Sequence, residues 1–149
     1  MGKLIIRKAL VNDLAQINVI EHSVQPVPWS VEGLSNEFFS RSVRFWVLCP
    51  SDSISKVIGY ICFRIVTDEV YLSNIAIMKQ YQGLGYGTFL LKKALYFWTQ
   101  NRFKRVTLDV YKKNYQAISF YRHNGFLFAC APDESKGKFC VMEMKLSQE

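Results

Sequence analysis

Histidine, cysteine and proline are sparse in this chain, whose 149 residues hold two, four and four of them. His22 and His123 have no metal-ligand spacing, and Cys49, Cys62, Cys130 and Cys140 lie far apart with no C-x-x-C pair. No zinc site or disulfide frame is expected from such spacing, nor any other metal; free thiols in a reducing compartment fit. Long apolar runs are missing too. No window approaches the ~20 residues of a membrane span, and Arg7, Lys8 and Asp13 interrupt the apolar start, unlike a signal peptide. Position 6 lacks the Ser or Thr of a myristoylation signal. A cytoplasmic protein with no membrane partner is expected. There is no repeat, linker or low-complexity tract, so a single domain over 1–149 is expected. Acidic residues are the scarcer charge, twelve against nineteen basic, for a net +7. That balance suits anionic partners, though the charges are scattered enough to read equally well as a solvated basic surface.

Half of the residues are hydrophobic and 15% aromatic, enough for a packed core. KLIIRKA reads as a first strand. Asn12 or Asp13 can cap a helix whose apolar face is Leu14, Ile17 and Ile20 or Val24. The prolines of QPVPWS end it, and Ser30 caps a second helix carrying Leu34, Phe38 and Phe39. VRFWVLC, KVIGYICFRIV and EVYLSNIAI read as three strands. A long helix follows, with Leu90, Leu91, Ala94, Leu95 and Trp98 inward; then come the strand KRVTLDVY and a helix stopped by Asn124-Gly125. FLFACA and KFCVMEMKL complete the order βααβββαβαββ. Hairpins in the middle and helix crossovers later predict an α/β (α+β) fold with a mixed sheet and helices on both faces.

The stretch YQGLGYGTFLL places Gly83, Gly85 and Gly87 at alternate positions between a strand and a long helix. Helix N-termini present unpaired amides and the positive end of the dipole, and glycines let an anion approach them closely. The spacing matches neither a nucleotide P-loop nor a dinucleotide G-x-G-x-x-G, since Thr88 stands where a further glycine belongs. It does match Q/R-x-x-G-x-G/A, as Gln82-Gly83-Leu84-Gly85-Tyr86-Gly87. Downstream, N-x-x-A-I-x-[FL]-Y-x-x-x-G-F is met by Asn114, Ala117, Ile118, Phe120, Tyr121, Gly125 and Phe126. With these motifs the chain resembles the GNAT acetyltransferases from its first strand to its last. PVPWS, NIAI and the L-[ED]-V strand are most similar to the N-terminal acetyltransferases of the bacterial ribosomal-protein alanine type.

The resemblance implies a mostly antiparallel sheet of six to seven strands, splayed between the fourth and fifth, with acetyl-coenzyme A in the gap. It implies coenzyme contacts from Gln82, Gly83, Leu84, Gly85, Tyr86, Gly87, Thr88, Asn114 and Tyr121, and from the main-chain amides of Ile75 and Ile77. The acceptor it implies is a protein N-terminus, a ribosomal protein being the candidate, with no direct nucleic acid partner. Acetyl transfer to an amine requires a neutral amine, a stabilised oxyanion and a proton for the departing thiolate. Alternation in TLDVY puts Val106, Leu108 and Val110 on one face and Thr107, Asp109 and Tyr111 on the other. Asp109 is thus the candidate base, acting directly or through water, where the alanine-type enzymes carry Glu; its plainer reading is a carboxylate that orders a loop. Tyr121 is the candidate acid, its plainer reading core packing. Asn114 also reads as a helix cap. Tyr71, Asn74 and Trp29 are the candidates for holding the acceptor, Trp29 reading as well as a core anchor. Two alternatives stay open on sequence: a GNAT acting on a small amine or a lysine side chain, and a coenzyme- or ribosome-binding module without catalysis.

Overall fold

The computed structural model describes residues 2–146. In chain order the elements are β1 (Leu4–Lys8), α1 (Leu14–Val24), α2 (Val31–Phe38), β2 (Val43–Pro50), β3 (Gly59–Val66), β4 (Glu69–Ile77), α3 (Tyr86–Gln100), β5 (Arg105–Tyr111), α4 (Tyr115–His123), β6 (Leu127–Phe128) and β7 (Phe139–Lys145). The strands form one sheet in the order β1-β2-β3-β4-β5-β7-β6. Every neighbouring pair is antiparallel except β4 and β5.

Alternating apolar residues give this sheet a core on each face. Leu90, Leu91, Ala94 and Trp98 of α3 cover one face, together with Tyr121 and Phe126, over Phe63, Leu72, Val106, Leu108 and Met142. Ile17 and Ile20 of α1 and Leu34 of α2 cover the other, over Phe45, Val47, Tyr60 and Cys62. Cys49, Cys62 and Cys140 are buried free thiols and Cys130 is an exposed one.

Two irregularities in β4 create the working part of the molecule. Its register against β3 passes from Cys62–Asn74 to Phe63–Leu72, which leaves Ser73 unpaired as a β-bulge. The extra residue reverses the alternation of faces. Before it Val70 and Leu72 pack on the α3 side; after it Ile75 and Ile77 do, while Ala76 joins the core under α1. On its other edge β4 pairs with β5 only over Glu69–Arg105, Val70–Val106 and Tyr71–Thr107. Beyond that point the two strands part.

Local details depart from the sequence reading in three places. Asp13 makes no side-chain cap at the start of α1. Its carboxylate instead receives Arg7 Nη1 and Nη2 at 2.8 and 2.9 Å and the Leu10 amide at 2.6 Å, and a 3-10 turn over Val11–Asp13 precedes the helix. Phe39 lies beyond the end of α2, exposed and edge-on to Phe38, because the helix stops at Phe38 and leaves Phe39 as its C-cap residue. The strand expected over FLFACA shrinks to Leu127–Phe128, opposite Glu143 and Met142 of β7, with one further bond from the Ala129 amide to the Val141 carbonyl at 3.0 Å. Ser30 does cap α2, accepting from the Gly33 amide at 2.9 Å.

Candidate active site

Where β4 and β5 part, a cavity of about 380 Å³ opens through the sheet. Its walls are residues 73–77 of β4 on one side and Asp109, Val110 and Tyr111 of β5 on the other. The turn after α1, with Val24, Gln25, Pro26 and Val27, closes one end, and the glycine loop with the start of α3 closes the other.

The three glycines serve different ends. Gly83 and Gly85 have φ of +78° and +84°, the left-handed region that side chains with a Cβ rarely adopt. A Cβ built on either would meet nothing within 4 Å, so open space lies in front of this backbone. Gly87 has ordinary helical φ, but a Cβ there would come within 3.1 Å of Phe120 Cε1, so it lets α3 approach α4. Gly85 is the residue before α3, and the first helical bond it accepts comes from Phe89 at 3.0 Å. The amides of Gly87 and Thr88, ahead of Phe89, have no partner within the helix and carry the positive end of its dipole. Gln82 steadies the loop by donating from Nε2 to the Ile77 carbonyl at 2.8 Å.

Ile75 and Ile77 point their backbone toward the gap. Met78 donates to Ile58 across β3, whereas the carbonyls of Ile77 and Ile75 accept from the side chains of Gln82 and Gln25. Because a strand residue's N–H and C=O face the same neighbour, the amides of Ile75 and Ile77 also face the gap. Asp109 projects from the face of β5 opposite Val106, Leu108 and Val110, and Tyr71 Oη donates to its Oδ2 at 2.7 Å. Burial, reinforced by the Asp109 carboxylate, holds the Tyr71 phenol well above its usual range. Tyr121 enters from the other face. The chain leaves α4 through Gly125 at φ +98°, with Gly125 and Phe126 donating to the carbonyls of Arg122 and Tyr121, a Schellman ending. This stop packs Phe126 against the Tyr121 ring at 5.6 Å and fixes where the phenol points. Burial alone raises the Tyr121 phenol far above its ordinary value, so it keeps its proton.

Most of the residues singled out from sequence meet here. Asn74, Ile75, Ile77, Gln82, Gly83, Gly85, Tyr86, Gly87, Thr88, Asp109, Asn114 and Tyr121 line the cavity. Asn114 also caps α4, its Oδ1 accepting from the Ala117 amide at 3.2 Å. Three lie off the cavity wall. Leu84 is 58% exposed, Trp29 packs on Phe45 with ring centroids 6.1 Å apart, and Tyr71 lines an adjoining depression with Arg64 and Thr107. Sequence reasoning passed over Glu21, which is wholly buried, and Gln25. The available signal was an acid on the apolar face of α1, three and four residues from Val24 and Ile17.

The family model for the acetyltransferase (GNAT) family matches residues 12–126. The chain belongs to the GNAT acetyltransferases. Over 114 residues it is 31% identical to the ribosomal protein bS18-alanine N-acetyltransferase of Haemophilus influenzae, covering 76% of this chain and 75% of that relative. Among solved structures, the ribosomal-protein-S18-alanine N-acetyltransferase of Escherichia coli matches with a TM-score of 0.84 at 23% identity, over 99% of this chain and 96% of that one. The PaiA N-acetyltransferase of Thermoplasma acidophilum, in complex with coenzyme A, matches with a TM-score of 0.78 at 21% identity, over 96% and 99%. The mostly antiparallel GNAT sheet of six to seven strands implied by the resemblance is therefore the fold observed, with seven strands. This GNAT protein is an acetyl-coenzyme A-dependent N-acetyltransferase. The open space before Gly83 and Gly85 at the positive end of α3 fits the pyrophosphate of that donor.

Proposed function

We propose that this GNAT enzyme acetylates the N-terminal α-amine of a protein in the cytoplasm, a ribosomal protein being the candidate acceptor. The Haemophilus relative's name specifies the alanine of ribosomal protein bS18. One observation carries the mechanism: two proton-handling groups reach the gap from opposite faces of the sheet, Asp109 with Tyr71 from one and Tyr121 from the other.

An α-amine with a pKa of about 7.7–8.0 is largely protonated at neutral pH and must lose a proton to attack. Asp109 takes that proton at a carboxylate oxygen, directly or through one water, while Tyr71 holds its Oδ2. The amides of Ile75 and Ile77 orient the donor and stabilise negative charge developing on a carbonyl oxygen. Tyr121 gives its proton from Oη to the departing sulfur as the tetrahedral adduct collapses, and the second proton shed by the acylated nitrogen restores the phenol. Amides of Gly87 and Thr88 hold the pyrophosphate with the glycine loop, and Asn114 touches the donor while capping α4. Acetyl-coenzyme A supplies the activated acetyl thioester.

Thiol release measured with acetyl-coenzyme A and a panel of N-terminal peptides tests the acceptor assignment. Release that depends on a free α-amine is expected. Release with lysine side chains or small amines and with none of the peptides would overturn it.

A further inference from the structure

Glu21 is a carboxylate with no solvent exposure, on the apolar face of α1. Burying a charge is costly unless hydrogen bonds satisfy it, and an apolar residue of similar size often serves packing as well. Here the bonds are complete. Tyr60 Oη donates to Oε1, the Trp29 amide to Oε2 at 3.0 Å, and Asn74 Nδ2 lies 3.0 and 3.1 Å from the two oxygens. These donors come from β3, from β4 and from the far end of the turn that closes the cavity.

The bond to Asn74 decides an orientation. A carboxylate only accepts, so the Asn74 amide must present its NH2 to Glu21, and its Oδ1 points away. Among the described residues no group donates to that Oδ1. Among the described residues, Asn18 Nδ2 and Trp98 Nε1 are the buried side-chain polar atoms left without a partner, so Asn74 Oδ1 is not sealed off. Asn74 itself lines the cavity. Donation from the NH2 to a carboxylate also polarises the amide and makes its oxygen a stronger acceptor.

We infer that Asn74 Oδ1 receives an N–H of the acceptor amine, and that Glu21 is the positioning residue that keeps this oxygen, rather than the NH2, turned to the cavity. The inference rests on the reading of the cavity as the place where an amine is acetylated. It explains why an acid stands at position 21: a glutamine there has an NH2 of its own to place among the same donors. That NH2 is best met by Asn74 Oδ1, which turns the Asn74 amide over and shows the acceptor a donor in place of an acceptor.

Steady-state kinetics on Glu21→Gln, Asn74→Ala and the double variant test this, with melting curves to select folded protein. Each single variant should raise the KM of the peptide acceptor about ten- to a hundred-fold, the range of a lost hydrogen bond to a charged group, with the KM of acetyl-coenzyme A unchanged. The double variant should be no worse than Asn74→Ala, because Glu21 acts through Asn74. A merely structural Glu21 would lower both affinities or neither, and would add to Asn74→Ala. An acceptor KM within twofold of wild type in folded Asn74→Ala overturns the inference, as does additivity in the double variant. Should Glu21→Gln not fold, Glu21→Asp replaces it, keeping an acceptor-only group: unchanged orientation predicts an acceptor KM within a few-fold of wild type, and a rise as large as that of Asn74→Ala overturns the assignment. Wild-type turnover with the peptides separately tests the acceptor reading, so the two failures are distinguishable.

Discussion

Replacing Tyr121 by phenylalanine deletes one hydroxyl from the gap and leaves the ring in place. That ring is 9% exposed and packs against Phe120 and Phe126, with centroids 5.5 and 5.6 Å away. Among the described residues no side chain hydrogen-bonds to the hydroxyl, and its raised phenol has burial as the one cause. The folded protein therefore loses no internal bond, and its stability should change by less than about 0.5 kcal/mol. For a chain of this size that is a melting shift under about 2 °C. The chemical step should nevertheless slow by about 10²–10⁴-fold, the usual contribution of a positioned acid, or about 2.7–5.4 kcal/mol in the barrier. Single-turnover kinetics with saturating acetyl-coenzyme A read that step directly, and calorimetry should find the donor's Kd unchanged. Because burial keeps the phenol protonated, wild-type kcat should show no alkaline limb near the ordinary tyrosine value of about 10. A Phe variant turning over at the wild-type rate would refute the acid role. A wild-type limb near 10 that the variant lacks would refute the effect assigned to burial.

Asp109→Asn keeps an oxygen for Tyr71 to bond and removes the base, so kcat should fall about 10²–10⁴-fold with donor affinity intact; near-normal turnover would leave Asp109 with no role in proton transfer. Gly85→Val forces a branched residue into φ +84°, at a cost of about 1–2 kcal/mol, and fills the space before α3; calorimetry should show weakened coenzyme binding in the folded variant, and an unchanged Kd would contradict the cradle. Asp13→Ala removes bonds from Arg7 and from the Leu10 amide, worth about 1.5–3 kcal/mol, and should lower the melting temperature by about 3–12 °C. Arg7 holds the Asp13 carboxyl below its usual range, so its stabilisation is present above the unfolded value of about 3.9 and is lost as pH falls through the lower folded value. Circular dichroism in acid should therefore find the wild-type advantage over Asp13→Ala shrinking below pH 4 (about the unfolded value); a constant gap would refute the linkage.

What could be read from the sequence was local. Alternation in β5 placed Asp109 opposite Val106, Leu108 and Val110, and the stop at Asn124-Gly125 ended α4 where Tyr121 is now seen to be locked. The glycine loop was legible as an anion cradle, but the reason for Gly87, a neighbouring ring on α4, was not. Glu21 stayed hidden because its donors lie 8, 39 and 53 positions along the chain, beyond any helical period. The bulge at Ser73 was hidden too: EVYLSNIAI reads as one continuous strand, and only pairing with β3 shows the change of face between Leu72 and Asn74. Asp13 looked like a cap because caps and ion pairs draw on the same residue type, and Arg7 sits close enough in β1 to win it.

The parting of β4 and β5 also bears on how the enzyme holds together between turnovers. Past Tyr71 and Thr107 the two strand edges no longer pair, and among the described residues three residue pairs of the β4–β5 ladder join β5, β7 and β6 to the rest of the sheet. On the site reading proposed above, a donor with amide groups of its own would lie along those edges as an eighth strand that arrives and departs with every cycle. A ligand present at a hundred times its dissociation constant adds about 2.7 kcal/mol to the folded state, as much as several buried methylenes contribute. The stability of this sheet should thus follow the supply of acetyl donor around it, and a melting curve of the enzyme should double as a gauge of occupancy.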